Sequence, residues 1–265
     1  MQTHYSCVMI TGASSGLGEE FAKQLAGSVD RMVLVARRVA RLDQIAGVIR
    51  DQYPQTAVMV MAADLSNASE RVSLMEKVSE ANFAPDFLIN NAGLGDFGEF
   101  ETADWESLEA MLRVNIEALT HLSHLALPEM KARGGGGILN VSSLASTLPI
   151  PDFAVYAATK AYVSSFSEAL RIELADDSIN VMSLCPGPVK TEFGEIARRE
   201  GGSTGLPGND FFYVPKQQVV SEAIRGFDKG KARVFPGLQV AAAGFLLGAA
   251  PIVLLRLIMG FRPRR

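Results

Sequence analysis

A chain of 265 residues with a formal net charge of -4 and a pI near 5.5 is too acidic for a general nucleic-acid binder, and no basic stripe interleaved with aromatics precedes its extreme C-terminus. Its 2 cysteines, Cys7 and Cys185, each lie in an apolar strand-like run, which excludes a disulfide framework and makes them small core residues. The length suits one α/β domain, and the first residues show no basic region followed by an apolar signal-like stretch, so a cytoplasmic chain is expected.

In chain order, Val8-Met-Ile10 reads as a short strand that empties into Thr11-Gly12-Ala-Ser14-Ser15-Gly16-Leu17-Gly18. Phe21, Ala22 and Leu25 then fall on one helical face. Strand, glycine turn and helix together offer backbone N–H groups and a helix N-terminus to a pyrophosphate. The spacing is Gly-x-x-x-Gly-x-Gly, and by itself such a turn can also be a tight connection. The next strand, Met32 to Ala36, ends in Arg37-Arg38. An acid there would hydrogen-bond a ribose 2′-OH and repel a 2′-phosphate, whereas a guanidinium binds that phosphate through paired, charge-assisted bonds. A pair of solvated arginines is the alternative, weakened by the unfavourable field of a helix start for cations. NADP is therefore the expected cofactor.

Strand-like runs recur near residues 7–11, 31–36, 57–62, 86–90, 137–142, 179–184 and 232–235. Helical runs fall near 16–27, 38–51, 69–82, 104–130, 156–175 and 217–228. This alternation predicts a doubly wound parallel sheet of Rossmann type with helices on both faces. No internal repeat is visible, and Gly134 to Gly137 is short enough to be a turn before a strand. His121 and His124 stand on a predicted helix without an acidic or cysteine partner, so they read as partly exposed helical residues and no metal is expected.

The chemistry-bearing residues follow. Ile138-Leu-Asn-Val-Ser-Ser143 is a buried strand emptying into a polar turn, which puts the Ser143 hydroxyl where open α/β sheets bind ligands. Tyr156 and Lys160 are four apart, which on a helix brings phenol and ammonium to one face. A neighbouring ammonium favours the phenolate, so the hydroxyl is expected to exchange a proton nearer neutrality than its usual pKa of about 10. Tyr-x-x-x-Lys alone also arises wherever a helix carries one buried aromatic and one exposed lysine.

Taken jointly, these motifs resemble those of the classical short-chain dehydrogenase/reductase family, continuously over about residues 7 to 191 and in the family's order. The resemblance implies that Gly12, Ser14, Ser15, Gly16, Leu17 and Gly18 hold the cofactor and that Asp64-Leu65 contacts adenine. It further implies that Asn90-Asn91-Ala92-Gly93 supports the central sheet and lines the cofactor site. Asn115, Ser143, Tyr156 and Lys160 match the family's catalytic tetrad, Asn115 holding a water that links Lys160 to solvent and Lys160 also holding the nicotinamide ribose. Pro186, Gly187, Val189 and Thr191 match the segment flanking the nicotinamide. The implied activity interconverts a carbonyl and an alcohol by hydride transfer, acting on a small-molecule ketone or aldehyde, in a homo-oligomer.

Two segments lie outside that match. Residues 192–215, with Gly201, Gly202 and Gly205 and the aromatics Phe211, Phe212 and Tyr213, correspond to the family's substrate lid. A disordered surface loop is the alternative. Residues 1–236 form the expected dehydrogenase domain, and 237–265 an apolar tail closed by Arg256, Arg262, Arg264 and Arg265. As one helix, Leu238 to Leu255 would span about 27 Å, short of a bilayer core of roughly 30 Å, and Pro251 breaks it in two. The tail is expected to cover a membrane interface, a partner subunit or the mouth of its own site, with peripheral attachment to an anionic membrane favoured by the arginines. Other classes to separate are a catalytically silent cofactor-binding protein on the same fold and a membrane-associated interaction protein.

Overall fold

The computed structural model describes residues 5–199 and 210–260. The glycines at 201, 202 and 205 and the arginines at 262, 264 and 265 lie outside these. Seven strands, β1 (Cys7–Thr11), β2 (Arg31–Ala36), β3 (Ala57–Ala62), β4 (Phe87–Asn90), β5 (Gly136–Val141), β6 (Ile179–Leu184) and β7 (Arg233–Val234), form one sheet in the order β3-β2-β1-β4-β5-β6-β7. Every pairing is parallel.

The helices explain why the central strands read as unbroken apolar runs. Successive side chains of a strand point to opposite faces, and both faces here are covered. Val8 and Ile10 pack with Phe21, Leu25 and Ile45, from α1 (Gly16–Leu25) and α2 (Val39–Gln52). Cys7 and Met9 pack the other way with Leu74, Leu122 and Leu170, from α3 (Ala68–Glu80), α5 (Leu119–Ala132) and α6 (Ala154–Glu173). Strand order reverses between β1 and β4, which opens a crevice at their carboxyl ends where such sheets bind ligands.

The predicted helix over 104–130 is instead two α-helices, α4 (Trp105–Leu112) and α5, joined by a π-helical stretch, Arg113–Ala118. Asp104 caps the first by accepting from the Ser107 amide at 2.8 Å. The wider π turn carries Asn115, which is 1 % exposed and hydrogen-bonded on three sides. Single π turns inside α-helices often mark functional sites, and nothing in the apolar periodicity signals this one.

Beyond β6 come the short α7 (Glu192–Ile196), a single turn at Asp210–Phe212, and α8 (Lys216–Asp228). Pro251 divides the tail, as expected, into α9 (Leu238–Ala249) and α10 (Ile252–Gly260). The start of α9 belongs to the core: Val240 is fully buried, and Gly244 lets the Phe235 ring approach to where a Cβ would be 2.5 Å from it. The outer face stays in solvent, with Leu238, Phe245 and Leu246 exposed. Among the described residues, no helix is long and apolar enough to cross a membrane.

Candidate active site

A cavity of about 1270 Å³ lies over the carboxyl ends of the central strands. One of its walls is the glycine turn after β1. Thr11 Oγ1 accepts from the backbone amides of Asn91 and Ala92, both at 3.0 Å, and Asn91 Nδ2 donates back to the Thr11 carbonyl at 2.9 Å. Gly12 and Gly16 have φ of 64° and 58°, a region that side chains disfavour. A Cβ on Gly18 would lie 2.3 Å from the Gly12 carbonyl oxygen, so the third glycine serves close packing of helix against turn. Ser15 is the N-cap of α1, and its side chain makes no capping hydrogen bond. The result is a turn of glycines and small hydroxyl residues at the start of a ten-residue helix, which fits a pyrophosphate.

At the end of β2, Arg37 and Arg38 line the same cavity. Arg38 donates from Nε and Nη2 to the Ser14 hydroxyl, both at 3.2 Å, and from Nη1 to Glu192 at 2.9 Å. The expected phosphate contact centred on Arg37, with Arg38 next to it; of the two, it is Arg38 that is hydrogen-bonded to the glycine turn. The Asp64 carboxyl is held below its ordinary pKa by the hydroxyl and amide of Ser66, with Arg37 adding to the effect. This donor set, two guanidiniums beside a serine, fits a 2′-phosphate.

Ser143, Tyr156 and Lys160 converge on the far side. Tyr156 is 7 % exposed, its ring stacked on Phe153 with centroids 4.2 Å apart and flanked by Phe193 at 5.5 Å. Lys160 donates to the Val141 carbonyl at 2.9 Å. The expected drop of the phenol pKa is not found in the chain itself. Burial pushes it up to about 12, against the opposing hydrogen bond with Ser143. Burial likewise brings Lys160 down to about 8. The cause is common: desolvation penalises the charged form of each. At neutral pH the pair thus stands as a neutral phenol and a protonated amine.

Asn115 lies behind this trio. Its amide nitrogen donates to the Leu94 carbonyl at 2.9 Å and to the Thr159 hydroxyl at 3.0 Å, and its oxygen accepts from the Leu94 amide at 2.8 Å. Both donors are therefore committed, and one lone pair of Oδ1 remains. A Cβ on Gly93 would meet Asn115 Oδ1 and Lys160 Nζ, each at 3.4 Å, which locates the two groups on one side of the Asn91-Ala92-Gly93 loop. Of the residues singled out from the sequence, Gly12, Ser14, Ser15, Gly16, Leu17, Asp64, Leu65, Asn91, Ala92, Gly93, Pro186, Gly187, Val189 and Thr191 line the cavity as Arg37, Arg38, Ser143, Tyr156 and Lys160 do, while Gly18 and Asn115 lie behind its wall. Thr159 and the Val141 carbonyl were not anticipated, because no local pattern reports a partner brought in by the fold. His121, half-buried, accepts from Arg71 Nε at 3.1 Å, and Arg71 in turn donates from Nη1 to the carbonyl of the cavity-lining Leu65 at 2.7 Å.

The rest of the cavity wall carries both charged and apolar side chains, Lys190, Glu195 and Arg198 among the former. Its apolar part is made by Leu148, Ile150, Phe193 and Phe212 together with Leu247 of α9 and Met259 of α10.

Comparison with known proteins agrees with this arrangement. A family model described as short chain dehydrogenase matches residues 6–201. An uncharacterized oxidoreductase of Staphylococcus saprophyticus is 34% identical over 183 residues, 69% of this chain and 78% of that protein. The very-long-chain 3-oxoacyl-CoA reductase of Homo sapiens is 30% identical over 194 residues, 72% of this chain but 61% of its own length. Among solved structures, a short-chain dehydrogenase from Sphingobium yanoikuyae in complex with NADPH superposes with a TM-score of 0.81 at 32% identity, covering 98% of this chain and 97% of that one. A bulky-bulky ketone specific alcohol dehydrogenase from Comamonas testosteroni gives 0.78 at 27%, covering 99% and 96%. A 3-ketoacyl-(acyl-carrier-protein) reductase from Brucella melitensis, complexed with NADH, gives 0.75 at 28%, covering 87% and 95%. With the parallel seven-stranded sheet, the glycine turn and the family-model match in register, the chain belongs to the short-chain dehydrogenase family.

Proposed function

We propose that this protein is an NADP(H)-dependent oxidoreductase that interconverts an apolar ketone or aldehyde and its alcohol. The observation that carries the reading is the convergence of Ser143, Tyr156 and Lys160 at one end of a cavity whose other end is the glycine cradle and its two arginines. When bound, the nicotinamide supplies or accepts hydride. The Ser143 hydroxyl orients the substrate oxygen and stabilises charge as it develops there. Tyr156, a neutral phenol, donates its proton to that oxygen in reduction and takes it back in oxidation. Lys160 stabilises the phenolate after transfer and, with donors beyond the one given to Val141, holds the ribose. Reprotonation runs through Lys160, and the free lone pair of Asn115 Oδ1 is where a linking water would be held.

Cofactor choice rests on Arg37 and Arg38, since an acid is absent from the position where a 2′-OH would be bound. The NADPH complex of the Sphingobium neighbour supports it. The cavity's size and the apolar part of its wall favour a bulky substrate, in keeping with the ketone specificity of the Comamonas neighbour. The exposed outer face of α9 and α10, with Arg256, supports peripheral contact with an anionic membrane over a homo-oligomer contact.

The test is consumption of NADPH with a panel of apolar ketones and aldehydes, beside NADH. No turnover of any carbonyl, with tight NADPH binding retained, would instead identify a silent cofactor-binding protein.

A further inference from the structure

Arg38 carries two partners of different kinds. Its Nε and Nη2 face Ser14 in the cofactor turn, and its Nη1 pairs at 2.9 Å with Glu192, the first residue of α7. Helix α7 opens a segment that lines the cavity through Phe193, Gly194, Glu195, Ile196 and Arg198. Its far end is held firmly. Arg199 makes a two-pronged pair with Asp96, at 2.7 and 2.5 Å, and donates as well to the Glu99 carbonyl and the Thr102 hydroxyl. The Phe97 amide donates to the Ala197 carbonyl at 2.7 Å. In the Arg199–Asp96 pair both side chains are mostly buried, at 22% and 11% exposure, whereas Arg38 and Glu192 are 47% and 44% exposed. The segment therefore has one strong anchor and one weak one.

The weak anchor shares its cation with the cofactor cradle. A phosphate monoester carries close to two negative charges and three strong acceptors, so at Arg38 it outcompetes a single solvated carboxylate. Glu192, left without its partner beside that charge, is repelled by it. Between the two anchors lies Phe193, seated where a Cβ on Gly95 would be 2.7 Å from its ring, with its centroid 5.5 Å from that of Tyr156.

We infer that Glu192 is a catch that responds to the cofactor's 2′-phosphate: it holds Arg38 and the near end of α7 together, and a 2′-phosphorylated cofactor releases it. Glu192 is thus a positioning residue that lowers affinity for NADP(H) alone and transmits its arrival to the segment carrying Phe193. The inference rests on the NADP reading above.

The experiment compares NADP⁺ and NAD⁺ on the full-length protein and on Glu192→Gln, with calorimetric binding and amide hydrogen exchange of residues 192–197. The variant should bind NADP⁺ more tightly by about two- to fivefold, the scale of an exposed ion pair, with NAD⁺ unchanged. In the wild type, the first turn of α7 should exchange faster with NADP⁺ bound than with NAD⁺ bound, and the variant should lose that difference. A wild type that prefers NADP⁺, beside a variant unchanged or shifted equally for both cofactors, overturns the catch alone. A wild type with no preference for NADP⁺ overturns the cofactor reading and the catch with it.

Discussion

The Lys160 ammonium lies 5.6 Å from the centroid of the Tyr156 ring, on the same buried face of α6, while its nitrogen is bonded to the Val141 carbonyl at the end of β5. The lysine is thereby fixed against the sheet, and the phenol is fixed by Phe153 and Phe193. Two groups that burial shifts in opposite directions are held side by side with little freedom to rearrange. With burial opposing ionisation of the phenol, its proton stays on the hydroxyl at neutral pH.

Tyr156→Phe keeps the ring stack and removes only the hydroxyl. Turnover should fall by at least about 10²–10⁴-fold, the usual worth of general acid catalysis, while NADPH affinity is retained. Steady-state kinetics beside calorimetry checks both. More than half the wild-type turnover in the variant would end the proton-donor role.

Lys160 also predicts a pH dependence of stability. Its folded pKa of about 8 lies below the ordinary 10.5, so between those values the unfolded chain binds more protons and stability rises with pH. The contribution is complete above the unfolded value and is lost as pH falls through the folded one. Tyr156 acts the other way, its contribution disappearing as pH rises from 10.0 towards about 12. Relative to Lys160→Met, the wild type should therefore gain stability as pH rises from about 8 towards 10.0, read as a shift in denaturant midpoint. Parallel curves would mean that Lys160 titrates normally.

Much of the site was legible because its residues are tied to local patterns. A glycine turn between strand and helix and a hydroxyl at a strand end carry their meaning in spacing alone. What was not legible depends on distant chain. The π turn at Arg113–Ala118 is held by Asn115 bonding to Leu94 and Thr159, 21 and 44 residues away, and apolar periodicity contains no trace of it. The phenol's pKa was misjudged for a related reason, since the helix spacing reports the neighbouring charge but not the burial that outweighs it. The Arg199–Asp96 anchor spans 103 residues and has no motif.

Gly18→Ala tests the third glycine. The added methyl would lie 2.3 Å from the Gly12 carbonyl oxygen and 2.6 Å from Asn91 Nδ2, so the turn or the helix must move. A loss of about 1–3 kcal/mol in stability is expected, as for other overpacked sites, together with weaker cofactor binding. Wild-type melting and wild-type affinity in the variant would remove this account of the turn.

Arg37→Ala and Arg38→Ala address cofactor choice. Each should weaken NADPH binding by about 1.5–3 kcal/mol, the scale of a hydrogen bond to a charged group, and leave NADH nearly unaffected. The preference should narrow by one to two decades in either variant. Equal use of both cofactors by the wild type would refute the assignment at once.

The tail has two faces with different tasks. Its inner side places Leu247 and Met259 in the cavity wall and Val240 in the core, so truncation after Pro236 would open both. Substitution of the outer face is the cleaner probe. Phe245, Leu246 and Val253 are 75%, 66% and 61% exposed, next to Arg256, in a chain whose net charge is otherwise acidic. Apolar side chains so placed, followed by basic ones, suit the boundary of an anionic bilayer, where each basic residue contributes about 1 kcal/mol. The full-length protein should co-sediment with anionic vesicles at low salt and much less with neutral ones. Changing Phe245, Leu246 and Val253 together to Ser should abolish this without lowering turnover of a water-soluble ketone. If the wild type stays in the supernatant and forms a stable oligomer that the triple variant dissolves, the outer face meets a second copy of the chain instead.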